Sequence, residues 1–342
     1  MNSFYEQFLT ETPGELGAED GKAVFVGIFG KHPGWNDHIE ENQEVPDIGL
    51  RTNSLVWAKS ILYTQGIGRN IESGAWEKLT PDQGLETFNH NFLWQRQDSY
   101  IAGTLWSSSD GKGRKLYPMV VAAHAVGVPL HWVLSVLASR LAALKSDCQQ
   151  AQLAGEVGAA LTRARGDLQN ALHWPNRSVP NSREFLSRFA RHPQFGPERE
   201  GLLRVFGRLK TQAGPFAPGK FSSRNKPRGL GVRVPAAAPN CEEIFCAWSE
   251  ALRAFIDEDA PLLMLWPIGQ NWLDLIIGEP EPEDFFCLRA LPSRFAAASE
   301  IPVHLDEAKR AETRACLDGL LRGELPAQGS KLSRWFGALF RA

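Results

Sequence analysis

Tyrosine and methionine are scarce in this chain, four and three residues of 342, whereas phenylalanine contributes 19 and tryptophan 11. The aromatic content is therefore mostly apolar and rigid, and much of it belongs in a core. Cysteine is also sparse. Cys148, Cys241, Cys246, Cys287 and Cys316 are odd in number and show neither C-x-x-C spacing nor a partnered His-x-x-x-His, which argues against a disulfide framework or a zinc signature and leaves buried thiols. A large net charge is missing too: 37 basic against 39 acidic residues give −2, unlike a polybasic or acidic-tail protein. No long uninterrupted apolar run occurs, because His124, Pro129, His131 and Arg140 break the stretch from Val120 to Leu144. Glu6, Glu11, Glu15, Glu19 and Asp20 likewise interrupt the start, so no signal peptide is expected and the expected location is cytoplasmic.

What is present reads as a globular chain. Hydrophobic residues are 43% and charged residues 22%, which excludes wholesale disorder. Residues 1 to 22 form a polar lead-in broken by Thr12-Pro13-Gly14. Ala23 to Gly30 is a short apolar run closed by glycine and predicts a buried first strand. Thr52 to Tyr63 predicts a helix stopped at Gly66. Phe92–Arg96 and Tyr100–Trp106 flank a turn and predict a β-hairpin, followed by a strand from Tyr117 to His124. Helices are predicted over 129–150, 158–172, 182–191, 197–210, 241–256 and 305–321. The Pro/Gly-rich stretch from Gln212 to Pro239 is expected to be a mobile loop or linker. Leu262–Trp266 and Trp272–Ile277 predict a second hairpin, and Phe285–Arg289 a further strand.

Strands thus fall in two clusters around a helical block. The expectation is one α/β (α+β) domain over 23–322, a sandwich with a mixed, largely antiparallel sheet and a helical and basic insertion at about 129–257. Residues 323–342 are expected to be a linker and a C-terminal helix.

Two polar stretches concentrate candidate chemistry. The first runs Gly27-x-x-Gly30-Lys31-His32-Pro33-Gly34-Trp35-Asn36-Asp37-His38, directly after the first strand. Neither G-x-x-x-x-G-K-[ST] nor G-x-G-x-x-G is present, so nucleotide cradling has little support. The second runs Ser107 to Pro118, where Arg114 stands four residues after Asp110 and could fold its guanidinium back on that carboxylate. If Asp37, Asp110 and Arg114 converge, a hydrolase or phosphate-binding enzyme is the alternative; otherwise these are loop-stabilising residues. The eight histidines are scattered and name no metal site, and no cofactor is expected.

Together the two stretches resemble the TagF (ImpM) family of type VI secretion-associated proteins, with an early G-K-x-P...G-D-F followed by S-x-D-x-x-G-R-x-F-P. Leu262–Trp266 and Leu291-Pro292-Ser293-Arg294-Phe295 resemble the family's closing strand and L-P...F segment. Asn36-Asp37-His38 stands for Gly-Asp-Phe, one extra residue follows Arg114, and Tyr117 replaces Phe, which marks a divergent member. The resemblance spans roughly residues 24 to 125 and 261 to 299, under half of the chain. It implies a three-layer α/β domain and a non-enzymatic regulator that restrains a contractile secretion machine by protein contact, with a forkhead-associated scaffold protein as the kind of partner. Lys31, Pro33, Asp37, Asp110, Gly113 and Arg114 then become a shaped surface or a fold-stabilising network.

Charge is segregated along the chain. Residues 201–235 carry Arg204, Arg208, Lys210, Lys220, Arg224, Lys226, Arg228 and Arg233 with no acid, whereas 242–284 carry eleven acids and one base. The basic run could contact a protein partner, an acidic patch of its own domain, or nucleic acid, the last ranked below protein contact. In the tail, Leu332, Trp335, Phe336, Leu339 and Phe340 share one helical face, which suits docking on the core, a partner groove or peripheral membrane contact.

Overall fold

The computed structural model describes residues 21–34, 48–97, 99–173, 182–222 and 227–322, with no side-chain description at 182–184. Among the described residues seven strands form a single sheet: β1 (Ala23–Gly30), β2 (Asn89–Arg96), β3 (Ser99–Ser107), β4 (Pro118–Val126), β5 (Leu230–Pro235), β6 (Leu262–Pro267) and β7 (Trp272–Ile277). Their order is β1-β4-β3-β2-β6-β7-β5. The expected mixture of directions is corrected here: all six pairings are antiparallel. The short connections from Arg96 to Ser99 and from Pro267 to Trp272 enforce that direction for β2–β3 and β6–β7.

Side chains alternate between two apolar layers, as a strand's period of two requires. Val24, Val26, Ile28, Met119 and Val121 enter one core cluster, whereas Phe29, Val120 and Ala122 enter the other. Both faces are covered, giving three layers. The larger layer holds α2 (Leu130–Trp132, Val133–Leu137 and Ala138–Gln150 in one continuous run), α3 (Ala154–Leu172), α4 (Ser182–Ala190), α5 (Glu200–Gln212), α6 (Cys241–Arg253) and α7 (Glu307–Arg322). The smaller layer holds α1 (Asn53–Ala58, continued through Lys59–Ile67 to Gly68–Glu72) and a 3₁₀ segment at Pro282–Leu288. The edge of β1 is sealed by the α3 residue Arg165, whose guanidinium donates to the Val26 carbonyl at 2.8 Å.

Three elements differ from the sequence expectation. Gly66 does not stop α1; it lies inside the helix because a Cβ there would sit 2.4 Å from the Phe285 ring, so the glycine serves close packing. Phe285–Arg289 is not a strand: Pro282 opens a 3₁₀ turn and buries Phe285 and Leu288 against α1. The stretch 212–239 is not merely a loop, since Leu230–Pro235 forms edge strand β5 on β7. The inserted block therefore contributes to the sheet.

Candidate functional site

The two polar stretches meet because of a glycine. Gly30 ends β1 at φ +103°, and a Cβ there would lie 2.3 Å from the Pro118 carbonyl oxygen. Only glycine permits this approach. It lets the Lys31 backbone N–H donate to the Pro118 carbonyl at 3.1 Å and sets Lys31 Nζ over the Tyr117 ring at 5.7 Å. Gly-Lys and Tyr-Pro, far apart in sequence, thus interlock at one end of the sheet. Burial lowers the Lys31 amine from its ordinary value, the Arg114 charge adds to that, and Asp110 opposes it. Burial and the nearby Glu72 raise the Tyr117 phenol.

The loop between β3 and β4 is built around Asp110. Its carboxylate is 1% exposed and accepts from the Lys112 N–H at 2.9 Å, the Arg114 N–H at 3.1 Å and Arg114 Nε at 2.6 Å. The Gly113 N–H donates to the Asp110 carbonyl at 2.8 Å, and Gly113 adopts φ +76°, which suits glycine. The loop itself shields the carboxylate, so hydrogen bonds dominate over deep burial. Desolvation pushes the carboxyl up, but the Arg114 side chain and the two backbone N–H groups outweigh it and hold it down at about 2. Asp110→Ala removes the acceptor for these donors. Amide exchange at Lys112 and Arg114 is expected to accelerate about tenfold or more, read by hydrogen exchange, while the sheet amides keep their protection.

Of the six motif residues, Lys31, Asp110 and Arg114 come together with Gly113 on the same loop, and Pro33 lies on the turn that follows Lys31. Asp37 lies outside the described residues. Next to that turn His32 is buried; its Nε2–H donates to the Cys148 carbonyl at 3.0 Å and its Nδ1 accepts from the Gly34 N–H at 2.9 Å. This fixes the turn against α2. Two clefts, about 360 Å³ between α2 and α3 and about 200 Å³ between α4 and α6, are lined by none of the five described motif residues. Among the described residues no group of three or more His, Cys, Asp and Glu is arranged to hold a metal ion, and no helix is long and apolar enough to cross a membrane.

The basic segment is divided among several elements. Arg208 and Lys210 lie on α5, Lys220 on an exposed turn, and Arg228 just before β5; Arg224 and Lys226 lie outside the described residues, as does the whole tail with Leu332, Trp335, Phe336, Leu339 and Phe340. Lys210 pairs with Glu312, and Arg228 with Glu281 at 3.2 Å. Arg233, a member of the basic run, is fully buried and meets an acid of its own domain. It forms a bidentate pair with Asp274, Nε–Oδ1 2.7 Å and Nη2–Oδ2 2.8 Å, and donates to the carbonyls of Cys287, Ala290 and Phe295. Burial pushes the Asp274 carboxyl up, and the guanidinium opposes it. The signal available in sequence was strand-like alternation: Val232 and Val234 flank Arg233 in β5, just as Leu273 and Leu275 flank Asp274 in β7, and the two charges are register partners.

No protein-family model, curated protein or solved structure matches the chain. The geometry of its own residues therefore carries the functional argument.

Proposed function

We propose that the chain is a non-catalytic regulator or adaptor resembling TagF, restraining or organising a type VI secretion system through protein contact. The observation supporting this reading is the sheet end at which Gly30–Lys31 interlocks with Tyr117–Pro118, beside the hydrogen-bonded loop of Asp110 and Arg114 whose charges reach Lys31. Its acid is engaged by donors rather than held for proton transfer. A hydrolase using Asp110 as general base needs a carboxyl poised near the operating pH, and one held at about 2 is a weak base. Nucleic-acid binding by residues 201–235 is also disfavoured, because Lys210, Arg228 and Arg233 spend their charge on acids of the same chain.

Affinity purification from the native cell tests the reading. Components of a secretion apparatus, among them a forkhead-associated scaffold protein, are expected with the native chain, and a Lys31→Glu/Arg114→Glu variant is expected to recover at least about tenfold less, corresponding to about 1.4 kcal/mol of lost contact. Recovery of neither component with the native chain overturns the proposal. Charge reversal is preferable to deleting 201–235, which would remove β5 and most of α5 from the fold.

A further inference from the structure

We infer that the same sheet end is a docking face for an acidic protein segment carrying an exposed aliphatic side chain, an inference that rests on the protein-contact reading and names its partner's chemistry. Two of the large apolar side chains left in water among the described residues, Leu116 at 61% exposure and Leu153 at 64%, flank the turn from Lys31 to Gly34. Leu116 adjoins Tyr117, over which Lys31 sits, and Leu153 lies where a Cβ on Gly34 would come within 2.7 Å of its carbonyl carbon.

Both leucines are held on ordered backbone. Asp110 organises the loop that presents Leu116, and Glu156 accepts from the Gln152 N–H at 2.6 Å and the Leu153 N–H at 3.0 Å, fixing the start of α3. A preordered loop loses little conformational freedom on binding, which is what a recognition surface requires. The charge beside Leu116 is basic: Lys112 and Lys115 are both exposed, while Asp110 and Glu156 are occupied by hydrogen bonds within their own loops and Glu72, near Tyr117, is a single exposed acid against them. Acidic side chains with an aliphatic neighbour match this pattern, and charge complementarity selects against basic partners. A bilayer is the poorer match: of the four cations at this end Arg114 is paired with Asp110 and Lys31 lies over Tyr117, and Lys112 and Lys115 alone fall short of the clusters of about four to eight basic residues that hold a segment on anionic lipid.

The test uses the full chain and a short fluorescein-labelled peptide of alternating glutamate and leucine, beside a matched peptide with lysine for every glutamate. Fluorescence anisotropy is expected to show the acidic peptide bound and the basic one not. Lys112→Glu/Lys115→Glu is expected to weaken the acidic peptide about tenfold or more and to shift preference to the basic peptide, and Leu116→Asp to weaken it about fivefold or more. These side chains are exposed, so an unchanged thermal midpoint certifies the fold. Equal binding of both peptides, or no response to the variants, overturns the inference. Anionic vesicles that bind more tightly than the peptide, with the same response to the variants, overturn it by assigning the face to membrane. Peptide binding that persists when no secretion component co-purifies sinks the regulator reading alone, and the converse sinks only this inference.

Discussion

Replacing Arg233 by alanine is expected to lower folding stability by about 3–5 kcal/mol, read from the urea midpoint at constant slope. The side chain has no exposure, and its loss strands the Asp274 carboxylate in the core while depriving the carbonyls of Cys287, Ala290 and Phe295 of their donor. Those carbonyls belong to the segment that follows β7 and whose first turn packs on α1, so the guanidinium clamps that segment to the edge strand. The Trp272 and Phe295 rings, 4.9 and 5.1 Å from the guanidinium carbon, add cation–π contacts. The double replacement Arg233→Met/Asp274→Leu is expected to cost less than Arg233→Ala, because no uncompensated charge remains. A change under about 1 kcal/mol for Arg233→Ala would show that the clamp is dispensable.

Acid unfolding is expected to be driven by two buried histidines that resist protonation in the fold. His90 is buried, and its Nδ1 accepts from the Asn89 N–H at 3.2 Å. Burial holds its imidazole down at about 3, and the Arg233 charge adds to that, while the Leu288 backbone opposes it. His124 is held at about 4, again by burial and then by the charge of Arg96. Both folded values lie below the ordinary 6.5, so between them the unfolded chain binds more protons than the folded one. Stability is therefore full above about pH 6.5 and falls as pH drops toward 4 and then 3, by up to about 1.4 kcal/mol per pH unit for each histidine. A margin at the lower end of the usual range of about 5–15 kcal/mol is consumed in that window. Circular dichroism against pH is expected to show a cooperative loss between about pH 4 and 5, and His90→Asn/His124→Phe to move it down by about one unit. An unshifted transition in the double variant would assign acid lability elsewhere.

The sheet was largely legible along the chain because its strands are long, apolar and punctuated by turns. The run Ala23–Gly30 and the Trp272–Ile277 strand were read at their observed bounds, and the 129–150 helix within a residue or so. Gly66 and Phe285 were misread for one reason: glycine looks like a stop and an aromatic run looks like a strand until the two residues pack on each other. Strand β5 was hidden because Pro and Gly surround it, and pairing with β7 overrides its local composition.

The candidate site divides the same way. The Asp110–Arg114 pair was readable from a four-residue spacing, since both partners sit on one short loop. The contact of Lys31 with Tyr117 was not, because it depends on β1 and β4 being sheet neighbours and on the close approach that Gly30 allows. By itself the sequence determined the apolar strands, the positions of the turns, the motif residues and the segregation of basic and acidic blocks. Only the tertiary structure decided what the segregated charge does. Antiparallel pairing of β5 and β7 carries Arg233 onto Asp274, and the approach of Arg228 to Glu281 and of Lys210 to Glu312 joins basic residues to acids distant from them in the chain. The physical reason is that a charge's energy is set by the distance and burial of its partners, and spacing along the chain reports neither once the partners sit on different elements.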